Sequence, residues 1–390
     1  MSWQIVHWIA GSILALAWAS RVVDAAFGMP GVADVALPKW DRRPAGEPRV
    51  SIIVPARNEE EDIVATLEQL LVLDYSNYEI IAVNDRSTDI TGQRMEEVAS
   101  QAGTHGRLKV IHIRALPPRW LGKTHAMWTA GNQATGEWLL FTDADVLFKP
   151  DSLRRAIAYA EAERADHVVL FPRIIMKRAG EKMMISFFQA LFVFGHRPWK
   201  VADPDAPDHM GVGAFNLVRR SVYDAVGTYD ALRMEVLDDM KLGKVVKNAG
   251  FAQRNVFGED LISLRWAKGA FGIVNNLTKN FFAVLSFQWP RTVAAIIGLG
   301  FLNLGPFVGV LLAHGWARAP YGFALISLFL LYCGMARRSA VPFYYFFLHP
   351  VSTTLFMYTL VRSMIHALWN DGIVWRGTKY PLDELRKGMV

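Results

Sequence analysis

The 390-residue sequence contains a single cysteine, Cys333, which excludes an intrachain disulfide and any zinc site built on cysteine pairs. Within its apolar run it reads as a small core or lipid-facing residue. No glycine-rich fingerprint for a dinucleotide or a P-loop occurs, and there is no internal repeat. Basic residues give a net charge of +6 but never cluster into a stripe, so nucleic acid is not an expected partner. Lysine and arginine are absent before Arg21, which stands at the far end of the first apolar run. That argues against a cleaved signal peptide, whose leading segment is positive, and for a retained anchor. Charged groups are also scarce in the C-terminal apolar runs, which offer no evident substrate path for a transporter.

What is present divides the chain in two. A hydrophobic content of 52% and a mean hydropathy of +0.18 are too apolar for an ordinary soluble enzyme, yet the long charged middle cannot lie in lipid. Residues 1–25 hold an expected transmembrane anchor, its span from Trp3 to Val23, with Trp3, Trp8 and Trp18 available for the interfaces. From about Thr292 to Ile365 the chain is apolar again, broken by His314 to Tyr321 and by Arg337 and Arg338. Three spans are expected, near 292–313, 321–336 and 341–363. A cytoplasmic middle puts Arg337 and Arg338 inside, but an odd number of later spans sends Arg376, Lys379, Arg386 and Lys387 outside. One segment is therefore expected to be re-entrant or interfacial. The aromatic-rich stretch Phe271 to Trp289 reads as an interfacial amphipathic helix, and residues 366–390 as a tail.

The middle, about Pro48 to Leu264, alternates strand and helix signals. Val50–Pro55, Tyr78–Val83, Leu108–Ile113 and Trp138–Phe141 read as strands; Glu59–Leu73, a stretch ending near Ala102, and Thr124–Ala134 read as helices. This is an α/β pattern, in which ligands sit beyond the carboxyl ends of the strands. Acidic residues collect there: Glu59, Asp85, and the pair Asp143 and Asp145. Residues i and i+2 of a strand point to one face, so both carboxylates of that pair can reach one hard cation, which in turn can hold a diphosphate. Asp203 and Asp205 repeat the spacing but sit among prolines, in a turn-rich loop.

Val-Ser-Ile-Ile-Val-Pro-Ala-Arg-Asn-Glu-Glu (50–60), Val-Asn-Asp-Arg-Ser-Thr-Asp (83–89), Leu-Gly-Lys-Thr-His-Ala (121–126), Thr-Asp-Ala-Asp (142–145) and Leu-Asp-Asp (237–239) stand in the order of glycosyltransferase family 2. The chain resembles that family over about residues 48–290. With its flanks it is similar to the ceramide glucosyltransferase branch, including bacterial enzymes associated with hopanoid biosynthesis. The branch resemblance rests on the membrane flanks, on Ser263 to Gly269, and on the tail Trp375-Arg-Gly-Thr-Lys-Tyr380.

The resemblance implies a GT-A, Rossmann-like catalytic domain (48–270) between N-terminal and C-terminal transmembrane helices, and an inverting reaction. It implies that Pro55, Ala56, Glu59 and Asp85 line the nucleotide pocket, with Lys123 near the diphosphate. Asp143 contacts ribose or metal, and Asp145 ligates Mg2+ or Mn2+. Asp239 takes the catalytic base position, with Asp238 beside it where the family more usually has Glu. Gly211, Gly213 and Ala214 border the acceptor. In the Gln-x-x-Arg-Trp motif, Arg265 and Trp266 are present but Ile262 replaces the glutamine, a departure from processive synthases. The expected activity is membrane-bound transfer of one sugar from a nucleotide sugar, a UDP-hexose, to a lipid hydroxyl such as a ceramide-like, hopanoid or carotenoid acceptor. The catalytic domain is expected to be cytoplasmic in a multi-pass protein of a bacterial-type inner membrane. A processive polysaccharide synthase or polyprenyl-phosphate glycosyltransferase is the alternative; a transporter or scaffold with a vestigial domain is the reading from another class. Each residue also has a plainer role: Asp85 and Asp89 as turn caps, Glu59, Asp238 and Asp239 as complements to helix dipoles, Lys123 as a solvated lysine. All donor-side motifs fall between Pro55 and Trp266.

Overall fold

Alternating aliphatic side chains in Val50–Ala56 supply two cores at once. Val50, Ile52 and Val54 join one buried cluster and Ile53 the other, as successive residues of a strand point to opposite faces. The computed structural model describes residues 3–101, 106–339 and 341–390. The chain forms two units, one of residues 32–175, 200–265 and 376–390, the other of residues 3–31, 176–199 and 266–375.

Among the described residues, two sheets of the first unit are built on ten strands: β1 (Val50–Ala56), β2 (Tyr78–Asp85), β3 (Leu108–Ile113), β4 (Trp138–Phe141), β5 (Leu147–Phe148), β6 (His167–Phe171), β7 (Arg173–Ile174), β8 (Asn216–Arg219), β9 (Gln253–Phe257) and β10 (Ile262–Leu264). Seven of them form a sheet in the order β3-β2-β1-β4-β8-β6-β9; β5, β10 and β7 form a smaller one. The four expected strands are β1 to β4, mutually parallel. The large sheet as a whole is mixed, because β8 runs antiparallel to both β4 and β6. That reversal matters for the site. Phe141, the last residue of β4, pairs with Asn216, the first of β8, so the segment entering β8 lies beside the segment leaving β4.

Helices cover both faces. Ile63, Leu67 and Leu70 of Ile63–Leu71 and Leu153, Ala156 and Ile157 of Ser152–Ala162 pack on one; Ala126, Met127 and Ala130 of Gly122–Gly131 and Leu242 and Val246 of Asp238–Asn248 pack on the other. The second expected helix is described over Thr91–Ala99, and its expected end at Ala102 lies outside the described residues.

The second unit is helical. Among the described residues, three stretches are long and apolar enough to cross a membrane: Trp3–Gly31, Trp289–Leu312 and Gly315–Ala336. The span expected at 341–363 is not one of them. Its chain forms a 3-10 turn, Phe343–Leu348, and a helix, His349–Trp369, that carries Thr353, Thr359, Arg362 and Ser363. Trp18, expected at an interface, is instead fully buried and donates its indole N–H to the Leu302 carbonyl at 2.9 Å; Trp3 and Trp8 are exposed. The Phe271 to Trp289 segment is helical over Gly269–Val284. Its Phe281 ring lies 4.5 Å from Phe356, so much of its apolar stripe is buried by protein.

Candidate active site

Five segments of the first unit end at one edge of the large sheet: the loops after β1, β2 and β4, the Gly211–Ala214 loop before β8, and the N-terminus of the Asp238–Asn248 helix. The antiparallel β8 is the reason the last two join the first three.

A pocket at this edge is lined by Lys123, Thr142, Asp143, Gly213, Asn216, Tyr229, Asp238 and Asp239. Lys123 enters from the first turn of Gly122–Gly131, its ammonium 2.7 Å from Asp143 and 3.5 Å from Asp238. Burial alone would lower its pKa, but Asp143, Asp238 and Asp239 together hold it well above the usual lysine range. One cation thus faces three carboxylates. Asp238 is pushed up to about 7 by burial and by Asp239 and Asp143, against the pull of Lys123. Asp239 is raised too, again first by burial. The two differ in accessibility. Asp238 is buried, whereas Asp239 is partly exposed and uses its carboxylate oxygens to accept the Gly213 N–H at 2.8 Å and the Met240 N–H at 2.7 Å.

The Gly211–Ala214 loop is wedged between the acidic segments. The Gly213 carbonyl accepts the Asp143 N–H at 3.0 Å, and the Ala214 carbonyl accepts the Thr142 hydroxyl at 2.8 Å. A Cβ at Gly211 would stand 1.8 Å from the Asp239 carbonyl oxygen, and one at Gly213 would stand 2.5 Å from the Asp143 carboxylate. Both positions require glycine for close approach. This segment is closely packed rather than a free turn.

Asp143 and Asp145 do not continue β4, which ends at Phe141; they occupy the turn after it. Strand alternation therefore does not apply to them. The two acids still act on each other: Asp145 is pushed up to about 7 by burial, then by Asp143, Glu59 and Asp62. Crowded oxygen donors of this kind suit a hard divalent cation. Among the described residues no group of three or more His, Cys, Asp or Glu side chains forms a cage, so further ligands would come from donor or water. The rival pair is a turn: Asp203 pairs with Lys200 at 3.2 Å and accepts the Asp205 N–H at 3.1 Å.

At the ends of β1 and β2, Pro55 and Ala56 pair with Val83 and Asn84. Asp85 is buried and gripped on both oxygens by Arg86, at 2.7 and 3.0 Å, with Arg86 at φ +54°, a left-handed conformation costly for an arginine. Glu59 pairs with Arg376. Asp89 accepts the Thr91 N–H at 3.0 Å, the capping role that composition allows. Arg265 ends the 200–265 segment of the first unit, while Trp266 belongs to the second, where its ring lies 5.0 Å from Phe188. The sequence motifs assign no role to Arg57, Arg86, Thr378 or Tyr380, although each lies inside one of them. The hydrogen bonds between the tail and the two arginines span some 300 residues and leave no local signal.

The profile of Glycosyl transferase family 2 matches residues 51–227. A 4,4'-diaponeurosporenoate glycosyltransferase of Staphylococcus aureus (strain MRSA252) is 22% identical over 343 residues, covering 86% of this chain and 89% of that protein. Among solved structures, a mannosyltransferase from Pyrobaculum calidifontis in complex with GDP-Man and Mn2+ superposes with a TM-score of 0.54 at 20% identity, over 93% of this chain and 99% of that one. The matched span holds β1 to β8, and with them the edge where Lys123, Asp143 and Gly213 meet. The chain carries a glycosyltransferase family 2 domain with the GT-A fold.

Proposed function

We propose that the protein is a membrane-bound, inverting glycosyltransferase that moves one sugar from a nucleoside diphosphate sugar, a UDP-hexose, to the hydroxyl of a lipid. The observation that carries this reading is the pocket in which Lys123 faces Asp143, Asp238 and Asp239, in a chain whose other unit has three helices of membrane-spanning length. The relative named for diaponeurosporenoate, matched along nearly its whole length, supports an apolar acceptor such as a carotenoid, hopanoid or ceramide-like lipid.

In this reading Asp239 is the base. Inversion requires one group that accepts the acceptor's proton as its oxygen attacks the anomeric carbon opposite the leaving diphosphate. Asp239 is the accessible member of the pair, and its Gly213 and Met240 hydrogen bonds fix its orientation. Asp238, buried against Lys123, holds that lysine in place. The Gly211–Ala214 loop supports the acceptor side. Pro55, Ala56, Glu59 and Asp85 border the nucleoside, and Arg265 is a candidate phosphate partner. Mg2+ or Mn2+ held by Asp143 and Asp145 would neutralise the diphosphate as it leaves.

The tail bears on topology. Arg376–Val390 belongs to the same unit as β1 to β10 and bonds to it directly, which supports placing both on one side of the membrane. The chain between Trp266 and Arg376 must then cross an even number of times. Trp289–Leu312 and Gly315–Ala336 as the two crossings, with His349–Trp369 not crossing, meet that condition. They also place Arg337, Arg338 and the basic tail on the cytoplasmic side with the catalytic unit.

Mass spectrometry after incubating the membrane enzyme with several nucleotide sugars and a lipid extract tests the reading. A lipid heavier by one hexose is expected. A polymer would replace it with a processive synthase, a phosphate-linked sugar with a polyprenyl-phosphate glycosyltransferase, and no transfer from any donor would overturn it.

A further inference from the structure

The tail lies on the residues assigned to the donor. Thr378, in the short strand Thr378–Pro381, accepts hydrogen bonds on its hydroxyl from Arg57 at 3.0 Å and from Arg86 at 3.4 Å. The buried Tyr380 hydroxyl accepts the Gly122 N–H at 3.1 Å, next to Lys123, and also interacts with Arg86. Arg376 bonds to the Arg57 carbonyl and pairs with Glu59. Three guanidiniums, Arg57, Arg86 and Arg376, thus gather around two carboxylates, Asp85 and Glu59, and leave an excess of positive charge.

Arg57 is the one least provided for. Its Nε is buried and has no hydrogen-bond partner among the described residues, and burial together with Arg86 and Arg376 disfavours its charge. A buried, unpaired cationic donor is costly unless a ligand completes it. An anion is the ligand that charge excess selects.

The tail is also firmly anchored. Leu382 and Leu385 are buried, the Val390 N–H donates to Glu235, and Lys244 donates to the Val390 carbonyl at 3.1 Å. A segment held this way is part of the domain's wall rather than a strap that lifts away.

Resting on the glycosyltransferase reading above, we infer that Arg376–Tyr380 forms one wall of the nucleoside diphosphate site. In it Arg57 is a donor-binding residue, and Thr378 and Tyr380 are positioning residues that fix Arg57, Arg86 and the Gly122 N–H. The chain beyond the apolar helices is then required for donor recognition, although all five family motifs precede them.

The test is titration of full-length protein in detergent with UDP and with GDP, each with Mn2+, followed by donor kinetics. Thr378→Val and Tyr380→Phe remove single hydroxyls and keep shape. Each is expected to weaken binding of the preferred nucleotide about tenfold and to raise donor KM by a similar factor, with kcat and acceptor KM little changed. The exposed Lys387→Ala, outside the Arg376–Tyr380 wall, is the control and should bind as the parent does. Parental affinity in both hydroxyl variants overturns the inference while leaving the glycosyltransferase reading intact. Tighter binding also overturns it, by showing that the tail obstructs the site. If the parent protein binds neither nucleotide, the glycosyltransferase reading falls and the inference with it.

Discussion

The backbone N–H of Gly213 donates to the Asp239 carboxylate at 2.8 Å, while a Cβ at the same residue would stand 2.5 Å from the carboxylate of Asp143. One small residue therefore sets the spacing between the proposed base and the proposed metal-binding turn. Gly213→Ala should lower turnover about 100-fold, the usual result of displacing a reacting group by an ångström or so. Secondary structure should persist, because the loop lies at the sheet edge. Circular dichroism alongside transfer assays would check both halves, and turnover near the parental value would show that the loop does not set the geometry.

Asp239→Asn should cut turnover by roughly 10²- to 10⁴-fold with donor affinity little altered, as expected for loss of a general base. Asp238→Asn should act differently. It removes a charge facing the partly buried Lys123, 3.5 Å away, and so should weaken donor binding and stability as well. Single-turnover rates and nucleotide titrations on both variants separate the roles; a nearly silent Asp239→Asn beside an inactive Asp238→Asn would reverse the assignment.

Asp145→Ala should abolish metal-dependent donor binding and transfer while the protein still inserts in membranes, since the carboxylate sits in the turn after β4 and outside the apolar helices. Asp205→Ala, in the proline-rich turn, should keep near-parental activity. Equilibrium binding with and without Mn2+ distinguishes them, and a loss confined to Asp205→Ala would mean that the other pair holds the ion.

His167 makes stability depend on pH. Burial lowers its pKa to about 4, and its neutral ring accepts from Gln253 at 2.7 Å and bonds to Asn216, whose amide reaches the Asp239 carbonyl. The unfolded chain takes up a proton at this residue near its ordinary value of about 6.5, whereas the folded one resists until about 4. Stability from this residue is therefore complete above pH 6.5 and is lost as pH falls towards 4, on the order of 3 kcal/mol in all. His167→Gln should be less stable at neutral pH but flatter across that window. Denaturant midpoints at pH 7 and pH 5 measure it, and equal slopes for parent and variant would count against the assignment.

With Cys333→Ser as background, single cysteines at Glu163 and Lys387 should react with an impermeant thiol reagent from the same side of sealed vesicles, and one at Trp316 from the other. All three positions are exposed. Labelling of Lys387→Cys together with Trp316→Cys would contradict an even number of crossings.

The strands β1 to β4, their covering helices and the grouping of acids at strand ends were legible because each rests on local pattern: alternation, helical spacing, and turn residues placed after apolar runs. Local pattern also carried the family resemblance, since its five motifs are contiguous. It gave Asp143 and Asp145 the right position but the wrong backbone, for a strand's last residue and a turn's first are not distinguished by side-chain type. Nor could it decide between one and another order of strands. The antiparallel insertion of β8 beside β4, which brings Gly213 and Asp239 to Asp143, depends on long-range pairing, and so do the burial of Trp18 against Leu302 and the use of the Gly269–Val284 stripe for packing. The return of Thr378 and Tyr380 to Arg57, Arg86 and Gly122 was beyond any reading by segments. Sequence determines which residues are able to bury, turn or bind; which of them meet is decided by tertiary packing, because a contact across 300 residues is stabilised only once the core that brings both ends together has formed.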